Sequence, residues 1–413
     1  MATATAGANA YAYTARDATG KIIKGKIEAP SQSAVISKLR TMGVSPITVE
    51  ESSAGSGLQM ELKIPGFGNK VTLKDLSIMA RQMATMIGAG LSLIRTLNIL
   101  ADQTENKELA RVLGIVKSEV EQGSSLSEAL QRHSEVFPPL MIHMIRAGEL
   151  GGFLDKSLTG TAENFEADVK LRDTIKSALT YPVIVLIISL LAVVGMLIFI
   201  VPVFKGMFES FNAELPLPTQ ALVTLSENMI WIGPLILVAI VAFNVWWRKY
   251  KNTDSVRAAT DKLRMKLPVF GPLFAKIAIA RFTRTFSTML ASGVPILQAL
   301  GIVGETSGSW TIEQALKKVQ ESVRQGKTVA GPLADEPIFP KMVVQMVAVG
   351  EDSGSMEVML DKVGEFYEAE VESTTKALTS LIEPLMIVVL GIVIGGMIIA
   401  MYLPVFTIYN EIS

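Results

Sequence analysis

Residues 137–154 read FPPLMIHMIRAGELGGFL, and residues 339–356 read FPKMVVQMVAVGEDSGSM. The offset between the two stretches is 202 residues, and it stays constant as far as Phe204 and Phe406. Upstream of them it becomes 203. A single change of register is typical of an internal duplication with one gap. The sequence therefore predicts one helical unit used twice, each copy ending in a membrane span.

The composition favours an integral membrane protein. The chain has 413 residues, of which 49% are hydrophobic, with a mean hydropathy of +0.40, and the apolar residues are concentrated in a few stretches. A net charge of −1 gives no indication of a nucleic-acid partner, and we expect none. The absence of cysteine excludes disulfides, thiolate nucleophiles and cysteine-ligated metals. Residues 1–10 lack the basic and apolar regions of a signal peptide, so we expect a cytoplasmic N-terminus.

Residues 1–50 are predicted to form a small cytoplasmic α/β unit. Two alternating segments, a helix capped by Ser31 and a short closing strand follow one another. The strands are expected at residues 11–14, 21–27 and 46–49, with a turn at 17–20. Residues 51–70 are rich in Gly and Ser and are interpreted as a flexible linker.

From Leu73 onward the apolar residues repeat with a helical period. Residues 71–180 and 248–382 each predict a cytoplasmic bundle of about six helices. The last helix of the first bundle carries one apolar stripe among many charges. That stripe comprises Leu154, Leu158, Ala162, Phe165 and Val169. The predicted fold class is mainly α, with two homologous bundles and three transmembrane helices after the small α/β unit.

Three stretches are long enough to cross a membrane and contain no Asp, Glu, Lys or Arg. The predicted transmembrane helices comprise residues 181–204, 228–247 and 383–404. Basic residues follow the second span, beginning with the segment 246–251, which reads WWRKYK. By the positive-inside rule we expect both bundles in the cytoplasm. The loop 205–227 and the tail 405–413 are then expected on the outer side.

The motif Gly-Glu-x-x-Gly recurs at Gly148, Glu149 and Gly152, and again at Gly350, Glu351 and Gly354. One interpretation is a tight turn between helices, with the Glu near the start of the next helix. The other is a partner contact or a cation site formed by Glu149, Asp155, Glu351 and Glu357. We favour the turn, because no dense Asp/Asn loop surrounds these residues. We predict no metal, with Glu149, Asp155 and Glu351 as the weak candidates.

No motif in the chain predicts catalysis or a cofactor. Gly326-Lys327-Thr328 lacks the upstream glycine of a phosphate-binding loop, because residue 321 is Glu. The two histidines, His133 and His143, have no nearby metal-ligand or nucleophile arrangement. We predict that the chain is not an enzyme and binds no cofactor.

Two Pro motifs, Tyr181-Pro182 and Glu383-Pro384, occur where a bundle helix enters the membrane. Proline inside a helix removes a hydrogen bond and favours a kink. The motifs therefore predict either a local bend at the interface or a joint that couples the bundle to the span.

The third span contains Gly391 and Gly395 at the GxxxG spacing, which permits close helix packing in lipid. The spans contain no ionisable residue, and ion or proton pathways usually need one. This argues against a pump or a channel.

With these motifs, the chain resembles the inner-membrane platform proteins of type IV pilus and type II secretion systems, the PilC/GspF family. The resemblance covers nearly the whole chain. It rests on Gly90-Leu91, Phe137-Pro138, Ala147-Gly148-Glu149-x-x-Gly152, Tyr181-Pro182 and their counterparts Gly293-Val294, Phe339-Pro340, Gly350-Glu351-x-x-Gly354 and Glu383-Pro384, together with the N-terminal segment 11–29. Gly151 and Met356 depart from the pattern, where a hydroxyl residue and Leu are expected.

The resemblance implies a non-enzymatic scaffold that couples a hexameric cytoplasmic assembly ATPase to the insertion of pilin or pseudopilin subunits. Other inner-membrane assembly proteins, the lipid bilayer and a second copy of the chain would be further partners, giving a dimer or larger oligomer. Glu149 and Glu351 would lie at ATPase-contact turns, and Gly391 and Gly395 would face pilin or another copy. Whether the machine makes a pilus, takes up DNA or secretes proteins is left open. The alternative function is a transporter or channel subunit built on parallel repeats.

Overall fold

The computed structural model describes residues 9–16, 22–29, 31–41, 43–52, 70–209, 215–251 and 253–412. They belong to two compact units, one within Met1–Lys70 and one within Val71–Ser413.

The first unit is the predicted small α/β domain. Its elements are β1 (Asn9–Arg16), β2 (Ile22–Ala29), α1 (Gln32–Thr41) and β3 (Ser45–Ser52). The sheet is antiparallel in the order β2-β1-β3, and α1 buries Val35 and Leu39. The predicted turn at 17–20 and linker residues 53–69 lie outside the described residues. Residues 51–52, predicted as linker, belong to β3.

The first repeat contains six helices, as predicted. They are α2 (Leu73–Gly88), α3 (Leu93–Gln103), α4 (Lys107–Glu121), α5 (Leu126–Arg132), α6 (Pro139–Gly151) and α7 (Leu154–Gly195). A capping box begins α2, because the Asp75 N–H donates to Thr72 Oγ1 and the Thr72 N–H donates to the Asp75 carboxylate. After α7 the chain continues through a π-helical segment, Met196–Ile200, into α8 (Val201–Glu209).

The second repeat follows a long helix and a connecting helix, α9 (Leu217–Tyr250) and α10 (Asp254–Lys266). It again contains six helices. They are α11 (Gly271–Ala291), α12 (Ile296–Thr306), α13 (Trp310–Arg324), α14 (Ala330–Ala334), α15 (Lys341–Ser353) and α16 (Met356–Ile412).

The two repeats share one hydrophobic core. In each repeat the first helix packs along the last, α2 on α7 and α11 on α16, and α7 also packs on α16. From the predicted stripe, Leu158, Ala162 and Phe165 are buried. Because one continuous cluster of buried residues contains side chains from both repeats, the two predicted bundles form one compact body.

Three helical stretches are long and apolar enough to cross a membrane: Leu154–Phe208, Trp231–Tyr250 and Met356–Pro404. They include all residues of the predicted spans except 228–230. They meet at one end, where the Ser226 hydroxyl donates to the Leu197 carbonyl at 2.5 Å and both residues are buried.

Two segments for which the sequence predicted no secondary structure contain helix. In 205–227, predicted as an extracytoplasmic loop, the chain is helical to Glu209 and again from Leu217. The predicted tail 405–413 continues α16 as far as Ile412. Contacts among the span ends stabilise these extra turns, with Leu197, Val201 and Val223 packed against α16. Sequence periodicity does not contain this information.

Candidate functional site

Gly148 and Gly350 lie where the end of one helix crosses the start of the next. A β-carbon at Gly148 would stand 2.9 Å from the Cα atom of Leu154, and one at Gly350 would stand 2.7 Å from the Cα atom of Met356. Real β-carbons essentially never come closer than 3.0 Å to other heavy atoms. Glycine is therefore required at both positions by the close approach of two backbones.

Gly152 and Gly354 end α6 and α15 in the left-handed conformation, with φ of 75° and 68°. Their N–H groups donate to the carbonyl oxygens of Gly148 and Gly350, respectively. This is the helix ending that glycine makes without steric cost. Both copies of the motif are tight turns between helices.

Glu149 and Glu351 bind the beginning of an earlier helix. The Glu149 carboxylate accepts hydrogen bonds from the backbone N–H groups of residues 126–127, at 2.6 and 3.1 Å. The Glu351 carboxylate accepts from those of residues 329–330, the shortest at 2.8 Å. The sequence predicts these side chains near the start of the next helix, and this is wrong. Each carboxylate pairs backbone N–H groups that have no partner within their own helix, at the start of the preceding helix α5 or α14.

The weak cation candidates do not form a metal cluster. Within the described part of the chain, no group of three or more His, Cys, Asp or Glu side chains is arranged to hold a metal ion. The oxygens of Glu149 and Glu351 already accept backbone hydrogen bonds. Asp155 is exposed in the first turn of α7, and Glu357 lies in the first turn of α16.

The two turns differ in their outer residues. The ring of Phe153 covers Gly151, where a β-carbon would stand 1.9 Å from a ring carbon. The same ring approaches Gly293 of the other repeat, at 3.3 Å from a β-carbon built there. In the second turn the hydroxyls of Ser353 and Ser355 hydrogen-bond to each other at 2.7 Å. The unusual Gly151 is thus explained by the space that Phe153 occupies.

A repeated ion pair connects the first and last helices of each repeat, and sequence reasoning missed it. Arg81 donates to both carboxylate oxygens of Glu166, at 2.7 and 2.6 Å. Its counterpart Arg284 donates to Glu368 at 2.9 Å and to Asp361 at 2.5 Å. The hydrogen bonds to Glu166 raise the pKa of Arg81. The available signal was that Arg81 and Arg284, and likewise Glu166 and Glu368, occupy equivalent positions of the two copies.

A second pairing joins the two repeats. Arg281 of α11 donates to Asp168 of α7 at 2.8 Å, and Asp168 also accepts from Arg172 at 2.9 Å. Beside it the buried Asn164 amide donates to the Thr285 hydroxyl at 3.2 Å. These contacts fix the position of α7 of the first repeat relative to α11 of the second.

The helices continue through both membrane-entry prolines. Pro182 is buried within α7, and Pro384 is exposed within α16. Tyr181 is 57% exposed and Glu383 is exposed. Neither helix ends at its proline, and the kinks remain predictions.

Gly391 and Gly395 have open space beside them within the part of the chain that the structure describes. A β-carbon built at either has no neighbouring heavy atom within 4 Å among the described residues. Their role in helix packing stays a prediction.

Comparison with protein families matches the architecture. The family described as type II secretion system (T2SS), protein F, matches residues 79–202 and 282–404, one match for each repeat. Its N-terminal domain family matches residues 1–50.

Three curated relatives span almost the whole chain. A type IV pilus assembly protein PilC from Myxococcus xanthus is 41% identical, covering 98% of this chain and 96% of the relative. The protein of the same name from Thermus thermophilus is 40% identical, with 98% and 99% coverage. A type II secretion system protein F from Xanthomonas campestris pv. campestris is 33% identical, also with 98% and 99% coverage.

Proposed function

The chain belongs to the type II secretion system protein F family, and from this premise we propose that it is the non-enzymatic inner-membrane scaffold of a pilus assembly machine. It couples a hexameric cytoplasmic ATPase to the insertion of pilin subunits into a growing filament. The identity to the two pilus assembly relatives described above, 41% and 40%, exceeds the 33% identity to the secretion relative, which supports the pilus machine.

The observation that carries this proposal is the continuity of two helices from core to membrane. Leu158 and Phe165 are buried in the shared core, and the same helix continues into an apolar segment with exposed Ile187. The helix α16, 57 residues long, does the same in the second repeat. At about 1.5 Å per residue it extends roughly 85 Å. A displacement of the bundles is transmitted along such helices to the spans.

We place the bundles in the cytoplasm, because basic residues follow the second span. The ATPase contact is assigned to the two Gly-Glu turns. Since the Glu149 and Glu351 carboxylates bind backbone N–H groups of their own repeat, the contacting side chains are their exposed neighbours, Leu150 and Asp352. Leu150 is 85% exposed and is therefore available for such a contact. Gly391 and Gly395 are assigned to the surface that faces pilin or a second copy.

The coupling is tested by softening α7 just before the membrane. Replacing Ser177 and Ala178 together by glycine adds backbone freedom and costs about 1 kcal/mol of helix stability per glycine. We expect normal membrane levels and normal co-purification of the ATPase, but at least about tenfold fewer surface filaments. The matched control replaces only Ser177 by alanine, which keeps the helix stiff and preserves assembly. Normal filament numbers in the double-glycine variant would contradict rigid coupling.

The assigned contact is tested separately. Leu150→Asp replaces the exposed leucine by a charge, and we expect co-purification of the ATPase to fall while the folded protein keeps its thermal stability. Retention of the ATPase by both Leu150→Asp and Asp352→Lys would exclude these turns as the contact. A pull-down that returns neither an ATPase nor a pilin from native membranes would exclude the scaffold function.

A further inference from the structure

Three apolar side chains are exposed at the junction of α10 and α11. Leu263, Leu267 and Val269 are 64%, 41% and 52% exposed. Arg264 and Lys266 lie between them, are exposed, and form no ion pair with any described residue. We call residues 263–269 the junction segment. It combines an apolar surface with positive charge in seven residues.

The junction segment lies at the membrane end of the bundle. The first turns of α11 pack beside α16, where Leu273 shares a buried cluster with Leu378. Lys276 donates to Glu370 and to Thr374 at 2.8 Å each, which fixes the antiparallel register. From Leu378 to Glu383, the last charge before the third span, the helix rises by roughly 7.5 Å. The junction segment is thus about one or two helical turns from the hydrocarbon.

The inner face of α10 is held by polar contacts with α13. Arg257 donates to Glu313 at 2.6 Å. The Asp261 carboxylate accepts from the Ser309 hydroxyl at 2.9 Å and from the Thr311 N–H at 2.8 Å. Because these contacts fix the rotation of α10, Leu263 and Leu267 cannot turn into the core without breaking them.

Val269 has a strained backbone. Its φ is 74°, and it is the one non-glycine residue with positive φ among the described residues. This conformation is costly for a β-branched side chain and easy for glycine. A valine at this position indicates that its exposed side chain makes a contact whose free energy offsets the backbone strain.

We propose that the junction segment inserts Leu263, Leu267 and Val269 into the adjacent membrane leaflet, while Arg264 and Lys266 bind anionic phospholipid headgroups. Charge complementarity and continuity with the second span, which ends at Tyr250 just before α10, indicate lipid as the occupant. The contact fixes the height of the bundles above the bilayer. It depends on membrane insertion alone, so it stands independently of the proposed function.

The test uses the full-length protein, which contains no cysteine. Leu267→Cys and Val269→Cys are each labelled with an environment-sensitive fluorophore and reconstituted into vesicles of phosphatidylcholine with phosphatidylglycerol. Leu150→Cys, labelled in the same way, is the control, since Leu150 is an exposed leucine just before the start of α7, which is the end of that helix remote from its membrane span. Shallow spin-labelled lipid and aqueous iodide then serve as competing quenchers.

We expect the ratio of lipid quenching to iodide quenching to be at least about fivefold higher at 267 and 269 than at 150. With Arg264→Gln and Lys266→Gln together, or in phosphatidylcholine alone, the ratio should fall at least about twofold. Iodide quenching at 267 and 269 equal to that at 150 would overturn the proposal. Protection from both quenchers would also overturn it, by indicating a protein contact between copies. A ratio unaffected by the double variant and by the lipid charge would refute the headgroup contact.

Discussion

In the first repeat the Gly-Glu turn contacts the other repeat through Phe153, which lies against Gly293, whereas in the second repeat the turn ends in Ser353 and Ser355, which bond to each other. The glycines and the glutamate are the same in both. At these turns the shared glycines and glutamates make contacts within their own repeat, whereas Phe153, whose counterpart is Ser355, contacts the other repeat. The two turns thus have the same residues where each bundle is closed and differ in the residue that contacts the other repeat.

The largest expected effect comes from filling the close approach that both turns share. Gly148→Val and Gly350→Val should each lower the free energy of unfolding by at least about 3 kcal/mol, because the added atoms overlap the backbone of the next helix. Thermal unfolding of the purified protein in detergent measures it.

Gly114→Val is the control, since Gly114 lies within α4 with open space around a β-carbon, and its effect should stay within about 0.5 kcal/mol. A tolerated valine at one turn and a damaging one at the other would break the equivalence of the two repeats.

The next effect concerns the two glutamates. Glu149→Ala and Glu351→Ala should each cost about 2 kcal/mol, because each leaves half-buried backbone N–H groups without their acceptor. The exposed Glu105 is the control, and Glu105→Ala should change stability by less than about 0.5 kcal/mol. Equal melting temperatures for Glu149→Ala and Glu105→Ala would show that the capping contact contributes little.

A smaller effect sharpens the difference between the turns. Phe153→Ser, which gives the first turn the residue of the second, should cost about 1–2 kcal/mol through the lost ring contacts. Ser355→Ala should be neutral within about 0.5 kcal/mol. The same thermal unfolding measurement separates them. Equal stability of the two variants would show that the contact between Phe153 and Gly293 does not stabilise the protein.

The smallest effect is pH-dependent and again compares the repeats. His143 corresponds to Gln345, and burial, followed by the charge of Arg146, lowers the pKa of His143 below 6.5, against an opposing effect of Glu305. Below the ordinary histidine pKa the unfolded chain then binds a proton more readily than the folded chain. The histidine therefore costs stability as the pH falls through 6.5.

Between about pH 7.5 and pH 5.5 we expect the melting temperature of the wild type to fall slightly more than that of His143→Gln. Identical pH profiles of the two proteins would contradict the prediction.

Much of the architecture is predictable because its causes are local. The left-handed ends at Gly152 and Gly354 follow from the helical period and a glycine at the right place. The three spans follow from stretches without charge. The constant offset between copies is enough to predict that both repeats contain the same helices.

The features that the sequence missed depend on neighbours distant in sequence. Residues 205–209 and 217–227 are helical because the ends of the spans pack together and hold them in helical turns. Glu149 caps α5 rather than α7, because α6 folds back beside the start of α5. Neither outcome follows from the residues adjacent in the chain.

By itself the sequence determined the duplication, the helix boundaries near glycines and the membrane spans, since periodicity, charge and backbone freedom act over a few residues. Only the tertiary structure decided that Arg81 pairs with Glu166, 85 residues away, that Phe153 contacts Gly293, and that both repeats share one core. Such pairings depend on the angle and register at which two helices cross. Those are set by the fit of all their side chains together, and no single segment of sequence contains that fit.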